Sequence, residues 1–308
     1  MLNEISHEIR NILNSTTPGD KLIFNNQLIS LHNNFQPIIP LSKDTIAFID
    51  GGQAEILSSG NFNLSFIRVS ALVLNHHVKK QIKKEFFLLT TAKYINNEIH
   101  YVSKIFGDKI IDETDLFISS KDATIKTGLE RAPISKVVNI ARRFAELSLA
   151  SQTMADFVLL DGTLEKSYQN EEKYFEKLTP NVCSLAKSSS LLTTSGNSPV
   201  VLMNKLGPVG CWQYSINNKT FFVKLHPKAK HVFRFEGNLD ILSSLADNSK
   251  DALFLGYPYG LILVDKIARV SNEEKRLLSA KFLLNQQNKE IVDFLSTTNA
   301  HRILDNMG

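Results

Sequence analysis

Cysteine is scarce: the 308-residue chain has only Cys183 and Cys211, too few for a disulfide framework and without metal-ligand spacing. No apolar run approaches the roughly 18–20 residues that cross a bilayer. The N-terminus, Met-Leu-Asn-Glu-Ile-Ser-His-Glu, has neither the basic start nor the apolar core of a secretory signal. These absences predict a cytoplasmic protein with no membrane attachment. No Gly-rich phosphate loop of the Walker type occurs, so an ATP motor would have to come from another protein. There is no Ser/His/Asp arrangement, no internal repeat, and no low-complexity segment beyond residues 188–195. Strong charge is missing too: 35 Lys and Arg face 31 Asp and Glu, which allows nucleic acid as a partner without requiring it.

What remains is an ordinary globular composition, 43% hydrophobic and 21% charged, long enough for a sizeable core. The chain is organised around residues 46–52, Ile-Ala-Phe-Ile-Asp-Gly-Gly. A short apolar run bounded by turn signals reads as a buried strand, placing Asp50 at its C-terminal lip with two glycines to turn the backbone or admit a ligand. Residues 157–162, Phe-Val-Leu-Leu-Asp-Gly, repeat the pattern and place Asp161 in the same way. One Asp-Gly after a strand reads most simply as a turn. Two carboxylates at the end of one buried sheet repel each other and favour a bound cation.

Residues 2–14 carry Leu2, Ile5, Ile9, Ile12 and Leu13 at helical spacing, and 15–45 read as a polar connection with three prolines. β-Branched and aromatic runs at 62–74, 86–92 and 98–106 predict a strand meander, with Asn96-Asn97 at a hairpin tip. Residues 107–128 read as an exposed insertion. From 134 to 149 the rhythm is helical, with Ser135 as cap, Arg142 and Arg143 outside, and Glu146 among apolar neighbours. A charged, helical stretch at 164–178 and a strand at 182–186 follow. Three antiparallel strands are predicted at 209–216, 219–225 and 231–235, then helices at 271–282 and 289–304.

The predicted fold is one α/β domain over 1–308: an N-terminal helical arm (1–45), then a mixed sheet flanked by helices, with β-hairpin and helical insertions near 107–130 and 200–236. Acidic strand, antiparallel strands, helix with a buried Glu, second acidic strand: this order resembles an RNase H-like domain. There the two acidic strands lie side by side, which would bring Asp50, Asp161 and Glu146 together. Hard oxygen ligands with open positions suit Mg²⁺ or Mn²⁺. Two such ions about 4 Å apart activate a water and stabilise the leaving oxygen in phosphodiester hydrolysis.

The likeness becomes specific in the C-terminal third, where Gly-Tyr257-Pro-Tyr-Gly precedes Leu-Ile-Leu-Val-Asp265. With Ile-Asp-Gly-Gly, the Ala-Glu-Leu helix and Leu-Leu-Asp-Gly-Thr-Leu, this segment resembles the NurA nuclease family, in order over residues 46–305. Those are DNA-end resection nucleases with an RNase H-like fold that work beside the HerA translocase. The resemblance implies a two-ion Mn²⁺ (or Mg²⁺) site on Asp50, Glu146, Asp161 and Asp265. It implies Tyr257 beside that site and Lys187 as a phosphate-holding point charge, although Ala186 stands where the family's motif has Ser. It further implies DNA as substrate, single-strand endonuclease and 5′-to-3′ exonuclease activity, a homodimer and a HerA-like hexameric ATPase partner. His301 and Asp305 resemble the family's closing segment, although a solvated tail is the simpler reading.

Other clusters read more plainly. His76-His77, on opposite faces of a strand, do not form a ligand pair. Lys224, His226, Lys228, Lys230, His231 and Arg234 mix with Phe222, Phe233 and Phe235 as on a single-strand-binding surface, but strand alternation sends the rings into the core. The alternative to a nuclease is a non-catalytic DNA-binding adaptor of a translocase on the same scaffold.

Overall fold

The computed structural model describes residues 1–14, 19–31, 34–75, 77–126, 128–187 and 191–298. His76, His301 and Asp305 lie outside them. Helix α1 (Leu2–Asn14) is followed by strands β1 (Lys21–Phe24), β2 (Gln27–Ser30), β3 (Phe35–Pro37), β4 (Ile46–Ser58), β5 (Phe62–Asn75), β6 (His77–Ile95), β7 (Glu98–Gly107) and β8 (Ile118–Ser119). Then come α2 (Val137–Gln152), β9 (Phe157–Asp161), α3 (Glu172–Phe175), β10 (Val182–Ala186), β11 (Leu192–Thr193) and α4 (Pro199–Leu206). The remainder is β12 (Trp212–Ser215), β13 (Thr220–Lys224), β14 (Phe233–Glu236), α5 (Leu242–Asn248), α6 (Tyr259–Ala268), α7 (Asn272–Leu283) and α8 (Lys289–Thr298). The fold is α/β, with sheets flanked by helices, as the residue pattern predicts. None of the described helices is long and apolar enough to cross a membrane.

Contacts divide the chain into two compact units. The first comprises Met1–Ile46, Leu159–Leu164 and Pro180–Leu261. It holds strands in the order β3-β12-β13-β14-β10-β9 and a small sheet β11-β1-β2. Its core gathers Leu22, Phe24, Met203, Trp212, Tyr214, Phe222 and Val232. Phe222, Phe233 and Phe235 are buried, as alternation predicts. The expected polar connection at 15–45 instead contains β1–β3. Asn25 and Asn26, at φ 47° and 59°, make the tight turn between β1 and β2. Helices α4 and α5 were not foreseen.

The second unit comprises Ala47–Val158, Glu165–Thr179 and Ile262–Gly308. Its strands run β4-β5-β6-β7-β8. Asn96 and Asn97, at φ 51° and 64°, form the predicted tip between β6 and β7. Helix α2 lies against β5. Its buried face includes Val137, Ile140, Ala141, Phe144 and Leu147. Ser135 does not cap it; a 3-10 turn, Ile134–Lys136, leads in with no side-chain cap. Residues 107–126 are not a loose insertion: Ile111, Asp115, Leu116, Ile118 and Ile125 are buried. Asp115 is bound by Lys173 and by the Tyr174 hydroxyl at 2.6 Å. Of the charged stretch 164–178 only α3 is helical, because Glu171 accepts backbone N–H groups of Ser167 and Tyr168 and holds a turn instead.

Strand β4 corrects the reading of its glycines. It continues through Gly51 and Gly52 to Ser58, so Asp50 lies mid-strand and not at a C-terminal lip. The glycines are needed for close packing. A Cβ on Gly52 would overlap the carbonyl of Ala268, at the end of α6, and one on Gly51 would sit 2.5 Å from Glu146 Oε1.

Close by, Arg68 on β5 joins β6, the residue after α6 and α7 within the same unit. Its Nε donates to Glu85 at 2.6 Å, Nη1 to the Arg269 carbonyl at 3.1 Å, and both Nη atoms to Glu274. Burial pushes the Glu85 carboxyl up, but hydrogen bonds and charge from Arg68 and Lys83 outweigh it and hold the group below its usual range.

Two outcomes follow from this packing. Gly52→Ala lowers unfolding free energy by about 1–3 kcal/mol through overpacking, whereas Gly60→Ala, in open space, stays within ~0.5 kcal/mol; denaturant titration reads both. The Glu85 contribution is full above the free-chain pKa of about 4.3 and is lost as pH falls through the lower folded-state value. Glu85→Gln therefore flattens the acid limb of the stability–pH curve, and an unchanged limb refutes this account.

Candidate functional site

The second unit carries Asp50 on β4 and Glu146 on α2. Asp50 is 9% exposed and Glu146 is 4% exposed. Strand β4 fixes Asp50, whose Oδ1 accepts the N–H of Gly51 at 2.7 Å. Helix α2 lays Glu146 directly over Gly51, where only hydrogen in place of a Cβ leaves room. Arg142, one helical turn earlier, closes the arrangement. Its Nη1 donates to Glu146 Oε1 at 2.6 Å and to the Gly51 carbonyl at 3.2 Å. A buried carboxylate is tolerable only with such a partner.

Arg142 was expected on the solvated face and is instead half-buried. Its i,i+4 spacing to Glu146 was the available signal. Arg143 also turns inward, donating from Nε to the fully buried Glu171 at 2.9 Å. Asp265 lies on α6, half-buried, and pairs with Arg269 at 2.5 Å one turn later.

The first unit carries Asp161, Lys187 and Tyr257. Asp161 ends β9 as foreseen; Gly162 follows at φ +112° and donates to the Leu185 carbonyl on β10 at 3.0 Å. Lys187 follows β10, and its Nζ meets Asp161 Oδ2 at 2.5 Å and lies 5.4 Å from the centre of the Tyr257 ring. Tyr257 is 2% exposed, packed against Phe254 and Phe233 with ring centres 5.2 and 5.4 Å away. Gly256, at φ +91°, makes this possible, since a Cβ there would overlap that of Ala229. Sequence reasoning missed a further buried pair, Arg234 with Glu236 at 2.6 Å. Glu236 also accepts the Leu164 N–H at 2.7 Å and steadies the segment just after Asp161.

Neither cysteine suits nucleophilic work: burial pushes the Cys183 thiol up to about 12, and raises that of Cys211. Carboxylate oxygens are the donors that Mg²⁺ or Mn²⁺ prefer. Among the described residues no three His, Cys, Asp or Glu side chains gather closely enough to hold an ion. Asp50 and Glu146, on β4 and α2, offer carboxylate oxygens of the kind such an ion takes, but Glu146 lies over Gly51 and strand alternation sends the Asp50 side chain to the other face of β4.

No protein-family model matches the sequence, and no curated protein matches it. Solved structures do. The crystal structure of the NurA nuclease from Sulfolobus solfataricus aligns over 94% of this chain and 96% of its own, with TM-score 0.53 and 13% identity. A second NurA crystal structure aligns over 94% and 95%, with TM-score 0.50 and 11% identity. The chain shares the fold of the NurA proteins along nearly its whole length.

Proposed function

We propose that the protein is a divalent-metal-dependent deoxyribonuclease that hydrolyses phosphodiester bonds at DNA ends. In this reading it acts in the cytoplasm in double-strand-break repair, as a homodimer beside a HerA-like hexameric ATPase. The observation that carries the reading is the Glu146 carboxylate seated on the glycine next to Asp50, in a chain with the fold of a nuclease. Asp50, Glu146, Asp161 and Asp265 are the proposed ligands of a two-ion Mn²⁺ or Mg²⁺ centre.

When bound, such ions supply an activated water and a counter-charge for the leaving oxygen. The chain's own side chains do the remainder. Arg142 holds Glu146 at a fixed rotamer over β4. Lys187 is paired with Asp161, and its ammonium is free to exchange that carboxylate for a phosphate oxygen while the Tyr257 ring supports it. Tyr257 positions Lys187.

The adaptor reading has its own support. Glu146, Asp161 and Asp265 are each matched by a basic side chain within the protein, so none of the three requires a metal for charge balance. Calorimetry with Mn²⁺ separates the two, since an adaptor takes up no ion at these residues.

The decisive experiment is digestion of 5′- and 3′-labelled single- and double-stranded DNA with Mn²⁺, Mg²⁺ or EDTA. Asp50→Asn and Asp161→Asn each reduce cleavage on the order of a hundredfold or more, and EDTA abolishes it. Gly51→Ala also depresses the rate, because its methyl displaces Glu146. Undiminished cleavage by either Asp variant, with the fold intact by circular dichroism, refutes the proposal.

A further inference from the structure

A cavity of about 250 Å³ in the first unit is lined by Lys187, Ser198, Asn204, Lys230, His231, Arg234 and the first turn of α4. No carboxylate is among its lining residues. Arg234 is matched by Glu236 and covers the Phe24 ring at 5.4 Å, so it forms a fixed wall. Asn204 donates to the Lys230 carbonyl at 3.1 Å and accepts from Lys224 at 3.1 Å. It thereby fixes the loop that carries Lys230 and His231. His231 packs edge-on to Phe254 at 5.0 Å, within the aromatic group that contains Tyr257. Helix α4 opens at Ser198, which makes no side-chain cap, so its positive end faces the cavity unneutralised by its own cap.

We infer that this cavity is a phosphate subsite that anchors a nucleic-acid strand through Lys230 and His231, next to Asp161, whose partner Lys187 is in the same lining. The identity of the ligand as a nucleic-acid phosphate rests on the nuclease reading; the preference for an anion rests on the lining alone. The volume accommodates a phosphate, either a strand's terminal phosphate or an internal phosphodiester. Lys230 is exposed and makes no ion pair among the described residues, so its charge is available to the strand.

The test is anisotropy titration of short 3′-labelled single strands, with and without a 5′-phosphate, by the full chain in EDTA over a series of salt concentrations. Lys230→Gln weakens binding roughly three- to tenfold and reduces the salt slope by about 1. His231→Gln weakens binding in the same direction. Lys228→Gln, an exposed neighbour outside the cavity, changes the Kd less than about twofold, the size expected of remote screened charge. A loss confined to 5′-phosphorylated strands assigns a terminal phosphate; an equal loss on both strands assigns an internal one. An unchanged Kd for Lys230→Gln, or an equal loss for Lys228→Gln, overturns the subsite. Because EDTA removes cleavage from the measurement, a protein that binds through Lys230 yet cuts no DNA in the separate digestions with Mn²⁺ and Mg²⁺ refutes the nuclease and leaves the anion site intact.

Discussion

The second unit depends on how closely two helices approach one strand. At Gly51 and Gly52 the backbone of β4 is bare, and Glu146 and the carbonyl end of α6 occupy the space that two side chains would fill. Polar groups are thereby pressed against the middle of a buried strand. That is costly unless each one is matched. The matching is local: Arg142 reaches both Glu146 and the Gly51 carbonyl, so one guanidinium satisfies two oxygens of different elements.

The same logic recurs across the chain. Several buried or half-buried acids have a dedicated cation: Glu171 has Arg143, Asp115 has Lys173, Glu236 has Arg234, Asp161 has Lys187. Pairs of this type contribute little net stability, but removing one partner leaves a stranded charge and is strongly destabilising. They serve to specify position. At Asp161 and Lys187 the pair is more open than at Arg234 and Glu236, with Lys187 nearly half-exposed, so exchange of partners costs less there.

Much of this architecture is legible in the residues, and the parts that are not have physical reasons. Long runs of alternating or apolar residues give β5, β7 and β10 to within a residue or two, and paired asparagines mark the β6–β7 turn because few other side chains accept two positive φ angles. The helical spacing of 134–149 finds α2 and its buried face. Strands β1 to β3 escape because runs of three or four residues carry too little pattern, although Asn25-Asn26 is the same signal as Asn96-Asn97. The two glycines after Asp50 were visible but ambiguous. A turn and a close approach both require glycine, and only the partner element, distant in sequence, decides between them. Arg142 looked solvated for the same reason: its second acceptor is a backbone carbonyl 91 positions away. Asp50, Glu146 and Asp161 occupy the elements expected of them, with only the place of Asp50 along its strand revised.

The single tryptophan has a use of its own. Trp212 is 1% exposed, lies edge-on to Phe35 with ring centres 4.8 Å apart, and has Gly207 so near that a Cβ there would stand 2.5 Å from its Cζ2. It belongs wholly to the first unit, and the second contains no indole. Its fluorescence is therefore a natural chromophore signal for one half of the chain, while far-ultraviolet dichroism sums both. Whether the halves melt together or in sequence can be followed optically without attaching any dye.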